Sequence, residues 1–334
     1  PAVAMTFACE RPPEVVYLRG ETMGTTYNIT VAHLPRDFQR DSLQIVVDEV
    51  LASVDGHLST YNPASEISRF NEHADSSWFE VSPTLHEVLL AAQEVSARTG
   101  GAFDISVGPL VQLWGFGEGA GPEWVAPEAE TLAAALAVAG YEKLELRDEP
   151  AAAARKLQPA LRVDVSAIAP GYAVDVIAQR FRALGATDYL VEIGGELLAA
   201  GKSPAGRPWR VAIEAPLAGE RRPHAIVELN GLGVSTSGDY RDFRQLEERT
   251  ISHTVDPRTG RPVEHQLTSV TVVHDSAMLS DAYATALMVL GPREGLAMAQ
   301  RLNLAALLIA RDERTGRLIE SSTAEFEQLR RPLP

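Results

Sequence analysis

The apolar positions of the chain fall into stretches of period two and stretches of period 3.6, and the two kinds come in blocks. Residues 15–33 alternate and read as strands, with Gly20 and Gly24 as punctuation. Behind a cap at Asp41 or Ser42, Leu43, Val46, Val47, Val50, Leu51 and Val54 follow helical spacing. Ser82-Pro83 opens a second such helix (Leu85, Val88, Leu89, Ala92, Val95), closed by Gly100. Residues 118–160 are rich in Ala, Glu, Pro and Gly, and predict a loop, a helix near 126–139 and an Ala-rich connector around 150–156. A short β-rich run at 161–165 then turns into a helix opened by Pro170 and Gly171, with Ala173, Val174, Ile177, Phe181 and Leu184 inward. Hairpin signals follow at 189–193 and 196–200 around Gly194-Gly195, and again at 209–214 and 225–230. The pattern closes with a strand at 268–274, a helix at 276–290 and a final buried strand at 305–310.

Strands in hairpin clusters with helices between them predict an α+β fold with antiparallel sheet, rather than a parallel βαβ array. The strand-helix-strand pattern recurs on both sides of residue 150. We therefore expect two lobes meeting there within one unit of residues 15–320, with 1–14 as a leader or tether and 321–334 as a tail.

Composition narrows the chemistry. A net charge of −15 over 334 residues repels phosphate backbones and argues against nucleic-acid partners. The single cysteine, Cys9, excludes an internal disulfide and a Cys-based zinc site. The eight histidines never take metalloprotease spacing, which leaves a hard, oxygen-bound cation as the metal to consider. No apolar run reaches the roughly 18 residues of a membrane span. Pro1-Ala-Val-Ala-Met-Thr-Phe-Ala-Cys9 reads either as the end of a secretory leader before a lipidated cysteine or as an accidental remnant; Thr6 stands where a lipobox usually has Leu.

Six segments carry candidate chemistry. Asp164 and the Pro170-Gly171 helix start bring a carboxylate and backbone amides together, either for a phosphate or metal or as an ordinary turn. Asp281 and Thr285, four apart on one helix face, form a half-shell for Mg²⁺, or else Asp281 supports the helix N-terminus and Thr285 is a core residue. His253 precedes the tight turn Asp256-Pro-Arg-Thr-Gly260 and is placed to act as general base, to donate to a phosphate, or to pin the turn. The 233–240 run of hydroxyls and glycines suits a phosphate or ribose, or a polar turn. Phe103-Asp104 and Tyr61-Asn62-Pro63 pair aromatic faces with polar edges. The glycines of Trp114-Gly-Phe-Gly-Glu-Gly-Ala-Gly121 miss dinucleotide spacing and lead into no helix, so they read as a loop.

Taken in order, Gly20-Glu-Thr-Met-Gly-Thr-Thr-Tyr27, Leu58-Ser-Thr-Tyr-Asn-Pro63, Gly101-Ala-Phe-Asp104, the 164–175 segment, Tyr189–Glu196, Thr236–Tyr240, the His253 turn and the Asp281 helix resemble the ApbE family of FAD:protein FMN transferases. The resemblance runs from about Gly20 to Ala310. It implies a T-fold-like α+β architecture and an Mg²⁺-dependent envelope enzyme. Such an enzyme splits FAD, attaches FMN to a threonine or serine of a membrane redox subunit and releases AMP. By similarity, Met23, Tyr61, Ala102, Phe103, Asp104, Asp164, position 170 and Val255 would contact FAD. Asp281, Thr285 and the Ala167 carbonyl would hold the metal, and His253 would be catalytic. The chain departs from the family at Pro170, where relatives usually carry Lys or Glu, which removes a side-chain contact and a backbone N–H. Flavin pyrophosphatase activity and flavin binding without turnover are the alternatives. A periplasmic protein anchored to the inner membrane through Cys9 is the expected location.

Overall fold

The computed structural model describes residues 15–34, 38–116, 124–217, 219, 222–238, 243–246 and 249–333. Cys9 with its leader, the end of the 114–121 glycine run, and Asp239-Tyr240 lie outside them.

Met23 and Gly24, at φ 47° and 70°, reverse the chain from β1 (Val16–Thr22) into β2 (Thr25–Ala32). Gly20 lies inside β1 instead of at a turn. It is glycine because a Cβ there would stand 2.6 Å from the Tyr27 ring across the ladder. Helix α1 (Arg40–Leu58) begins before the expected caps, with Gln39 at the cap position and no side-chain bond. A short α2 (Glu66–Glu72), not read from the pattern, is capped by the Ser65 hydroxyl, which accepts from the Ser68 N–H. After β3 (Phe79–Glu80), α3 (Pro83–Thr99) is capped by Ser82 and ends on Gly100 at φ 62°, as its sequence predicts.

Two helices, α4 (Gly108–Leu113) and α5 (Ala129–Val138), precede the strand β4 (Leu144–Arg147). The expected Ala-rich connector is instead partly a strand, β5 (Ala153–Lys156), paired with both β3 and β4. Its alanines are fully buried, so packing overrides their weak strand preference. The 161–165 run is extended but joins no sheet. The Asn71 side chain bonds both the N–H and the C=O of Val163, and the Asp164 N–H donates to the Ile105 carbonyl at 2.7 Å. These bonds take the place of a ladder.

Helix α6 (Ala169–Ala183) leads into the hairpin β6 (Asp188–Ile193) and β7 (Glu196–Ala200), then β8 (Trp209–Glu214) and β9 (Pro223–Leu229). The 233–238 run is not a loop but the strand β10 (Leu232–Gly238). The hairpins β11 (Phe243–Leu246) with β12 (Arg249–Ser252) and β13 (Val255–Asp256) with β14 (Arg261–Pro262) flank His253. Next come β15 (Leu267–His274) and α7 (Ala277–Arg301). That helix continues past the expected end at 290 through a break at Gly291, φ 76°, where a Cβ would stand 2.6 Å from the His265 ring. Strand β16 (Ala305–Arg311) is not the last element. The expected tail folds into part of β17 (Leu318–Ser322), α8 (Ala324–Leu329) and β18 (Arg330–Arg331), with Phe326 fully buried.

An antiparallel sheet in the order β1-β2-β6-β7-β10-β15-β16-β17 is the frame. Helices α6 and α7 pack on one face, with α1 and α3 outside them, over a core running from Val16 to Leu308. The sheet β18-β9-β8 and α8 cover the other face around Trp209, Ile213, Val227 and Phe326. A third cluster joins α4 and α5 to Ile251 and Val255 beside His253.

Candidate active site

The site forms where α7 crosses the end of β10. The strand's Gly233, Ser235 and Ser237 face the helix, because a period of two places them together. A Cβ on Gly233 would stand 2.7 Å from the Ala277 backbone, and one on Gly171 would stand 2.7 Å from the Met278 Cα. The N-termini of α6 and α7 and the strand therefore meet backbone to backbone, which is possible only with glycine at both positions.

Asp175 of α6 caps α7. Its carboxylate accepts from the N–H of Ala277 at 2.8 Å, the N–H of Met278 at 3.0 Å and the Ser276 hydroxyl at 2.6 Å. Asp281, one turn further along, therefore does not serve the helix N-terminus. It is 6 % exposed, and among the described residues its Oδ2 finds no hydrogen-bond donor. The buried Ser235 Oγ beneath α7 is likewise unpartnered. By register Glu196 of β7 lies level with Ser235 on the same face of the sheet. Burial pushes Asp281 well above the usual carboxylate range, and the Glu196 charge adds to the rise against an opposing Gly171 N–H. Glu196 is pushed up to about 7, by burial first and then by the charge of Glu192.

One helical turn along α7 from Asp281, which does not itself line it, opens a cavity of about 440 Å³, lined by Thr285, Ala167, Thr236 and Ser237 on the helix-and-sheet side. The Thr285 and Ser237 hydroxyls are 3.3 Å apart. His253, Thr254, Val255, Ala102, Phe103, Asp104 and Asp164 line it from the loops. His253, Asp164, Ser166 and Val111 also line a second cavity of about 880 Å³, which holds Tyr61, Phe116 and Arg162. The two cavities thus adjoin at His253, Asp164, Ser166 and Val111, which line both. The His253 imidazole lies edge-on to Phe116, with ring centres 6.3 Å apart. Behind it, Trp114 Nε1 donates to the Gly260 carbonyl at 2.7 Å, tying the 256–260 turn to α4.

The residues singled out from sequence take different places. Ala102 and Phe103 are buried in the wall. Asp104 is buried too, and its oxygens accept from the backbone N–H of Ser106 at 2.8 Å and of Tyr141 at 2.7 Å. Burial raises its carboxyl above the ordinary range despite these bonds. Asp164 lines both cavities and accepts from the Ser166 N–H at 2.9 Å. Tyr61 is 67 % exposed at the mouth of the larger cavity, on a turn held by the Asn62 side chain. Met23 and Pro170 line none of these cavities. Met23 stands on the turn beside Gly194, whose N–H bonds the Thr26 carbonyl, and Pro170 starts α6. Glu196 was not singled out from sequence, and Ser235 was included only within the 233–240 run of hydroxyls. The alternation of their strands gave their side of the sheet, but nothing in sequence placed those strands under α7.

The donor set fits a hard cation: a buried carboxylate oxygen without a donor, a hydroxyl and a backbone carbonyl. Among the described residues no three His, Cys, Asp or Glu side chains converge as a metal site. That suits Mg²⁺, which is bound through one or two carboxylates together with substrate phosphates. Among the described residues, Arg162 by the larger cavity pairs with Glu72, and Arg258 of the 256–260 turn pairs with Asp256.

Comparison with known proteins adds an independent line. A sequence model of the ApbE family matches residues 23–308. The chain is 42 % identical over 305 residues to an FAD:protein FMN transferase of Vibrio cholerae, covering 91 % of this chain and 90 % of that protein. It is 39 % identical to the Haemophilus influenzae protein of the same description, covering 98 % and 96 %. Among solved structures, the flavin transferase ApbE from Vibrio cholerae superposes with a TM-score of 0.87 at 39 % identity, covering 95 % of this chain and all of that one. The apo flavinyl transferase ApbE of Pseudomonas stutzeri gives 0.86 at 41 % identity, covering 95 % and 97 %.

Proposed function

The chain belongs to the ApbE family and is a flavin transferase, and from that premise we propose that it cleaves the pyrophosphate of FAD with the aid of Mg²⁺, joins FMN to a threonine or serine of a membrane redox subunit, and releases AMP. The observation that carries the Mg²⁺ reading is the unbonded, buried Asp281 oxygen, one helical turn from Thr285, which lines a cavity together with His253.

Asp281, the Thr285 hydroxyl and the Ala167 carbonyl would hold the ion. When bound, Mg²⁺ neutralises the pyrophosphate charge that repels a nucleophile and stabilises the departing AMP. His253 takes the proton of the acceptor hydroxyl as its oxygen bonds to the FMN phosphorus. The bond from that phosphorus to the bridging oxygen breaks, and AMP leaves with the electron pair. The hydroxyls of Ser166, Thr236 and Ser237 are placed along the wall to donate to phosphate oxygens. Phe103, Val255 and Tyr61 offer apolar faces to the planar rings, Tyr61 at the rim where solvent reaches it. Pro170 supplies no contact in this scheme; it starts the helix whose next residue, Gly171, lets α7 approach.

The same reading places the protein on the outer face of the inner membrane, tethered through a lipidated Cys9. Among the described residues no helix is long and apolar enough to cross a membrane, so attachment would fall to such a tether.

Mass spectrometry of a threonine-containing acceptor domain incubated with the protein, FAD and Mg²⁺ tests the reading. A mass gain of one FMN that EDTA abolishes is the expected result. AMP released without an adduct would mean that water takes the place of the hydroxyl, which is the pyrophosphatase. Bound FAD with neither product would leave a flavin-binding protein.

A further inference from the structure

Strand β8 ends its sheet. It pairs with β9 on one side, and among the described residues no strand pairs with the other. The strand is firmly mounted: Trp209 and Ile213 are buried in the core under the large sheet, and Trp209 Nε1 donates to the Ala200 carbonyl at 2.8 Å. Along this edge runs a groove of about 390 Å³. Residues 211–214 form one wall and the Gly194-Gly195 turn the other, with Leu197 and Val234 between. Gly194 and Thr236 belong both to this groove and to the 440 Å³ cavity. The groove therefore adjoins the proposed phosphate site at these two residues, and His253 does not line it.

Flavin transfer to a protein needs three participants at one phosphorus. The two cavities share His253, Asp164 and Ser166 in their walls and suit the two ends of a dinucleotide. The acceptor must then enter by another route, as an extended stretch of chain that presents one hydroxyl. We propose that the acceptor polypeptide docks as an added strand along the β8 edge, with its threonine or serine passing between Gly194 and Thr236 to the phosphates. An open edge strand offers unpaired N–H and C=O groups, so recognition runs through the acceptor's backbone and tolerates varied side chains. The glycine turn, at φ 67° and 118°, presents no side chain to obstruct the passage. This inference rests on the transferase reading and names where its second substrate binds.

Ala212 is exposed in the groove wall, so Ala212→Arg fills the groove without disturbing the core. With a soluble acceptor domain from a flavinylated redox subunit, the variant should raise the acceptor KM about tenfold or more and leave FAD affinity within about twofold. Hydrogen exchange supplies a second readout that needs no turnover. The same domain with its acceptor threonine replaced by valine, added to the FAD-loaded protein, should protect amides of 209–214. An unchanged acceptor KM, or protection confined to other strands, would overturn the proposal. Protection of these amides by FAD alone would overturn it too, by assigning the groove to the donor. If the unaltered protein forms no adduct, the transferase reading fails, and the exchange experiment still decides whether the acceptor binds this edge.

Discussion

Behind the wall of the cavity built by β10 and α7, Asp281 leaves one oxygen without a donor and Ser235 leaves its hydroxyl so among the described residues. On the facing wall, Asp104 bonds two backbone amides, Asp164 bonds another, and Asp256 holds the Arg258 N–H and guanidinium. Asp175 behind α7 behaves like this second group. All five are aspartates in the segments that mark the site, yet of these only Asp281 keeps a buried oxygen with no donor among the described residues, although it too faces a backbone N–H, that of Gly171. A buried carboxylate whose lone pairs are filled is scaffold, whereas one left unfilled keeps its full desolvation cost until a cation or proton arrives. The walls differ in construction as well. One is regular structure packed through glycines, while the other is loops and short hairpins that carry His253.

The largest effect expected on this contrast is at the loop wall. His253→Ala should slow FMN transfer by about 10²–10⁴-fold while FAD still binds, read by adduct mass and flavin titration. An unimpaired rate would move the proton transfer away from that wall. On the opposite wall Asp281→Asn should weaken Mn²⁺ or Mg²⁺ binding by at least about 10–100-fold and raise the melting temperature of the cation-free protein, because a desolvated charge is gone. Asp104→Asn should do the reverse. It should cost about 1–3 kcal/mol in denaturant unfolding, since an amide group would then face the Tyr141 N–H, with cation affinity little changed. If both variants lowered the melting temperature alike, the distinction between brace and ligand would fall.

Gly171→Ala tests the construction of the rigid wall. The added methyl would press on the Ala277 carbonyl and the Met278 Cα, neither of which can swing aside, at about 1–3 kcal/mol by chemical denaturation. The smallest effect is a slope. Glu196 holds its proton to about pH 7 when folded but only to 4.5 when unfolded. Between those values the folded state binds more protons. Its stabilising contribution is complete below about 4.5 and is lost as pH rises through about 7. Melting curves of the cation-free protein should therefore fall over that window, and Glu196→Gln should flatten the fall.

Much of the fold was legible where one local rule decided it. Ser82-Pro83 and Gly100 bound α3 because capping and left-handed termination are local chemistry. The Gly194-Gly195 turn likewise announced its hairpin. Elements that depend on neighbours were misread. Ala153 and Ala154 form a strand because two partners bury them, and 161–165 stays outside the sheet because Asn71, 92 residues away from Val163, occupies its hydrogen bonds. Residues 321–334 read as a tail, yet they complete β17 at the edge of the sheet and place α8 on its far face.

The sequence by itself determined the α+β class, the membership carried by its ordered motifs, and the residue types at the site, since each depends on periodicity or on short spacing along the chain. Only the tertiary structure decided which aspartate keeps an unbonded buried oxygen and which are braced, and that Glu196 and Ser235 lie beneath α7. Those facts turn on which strand pairs with which and on how closely two helices approach. Both are set by burial and hydrogen bonding between residues far apart in sequence.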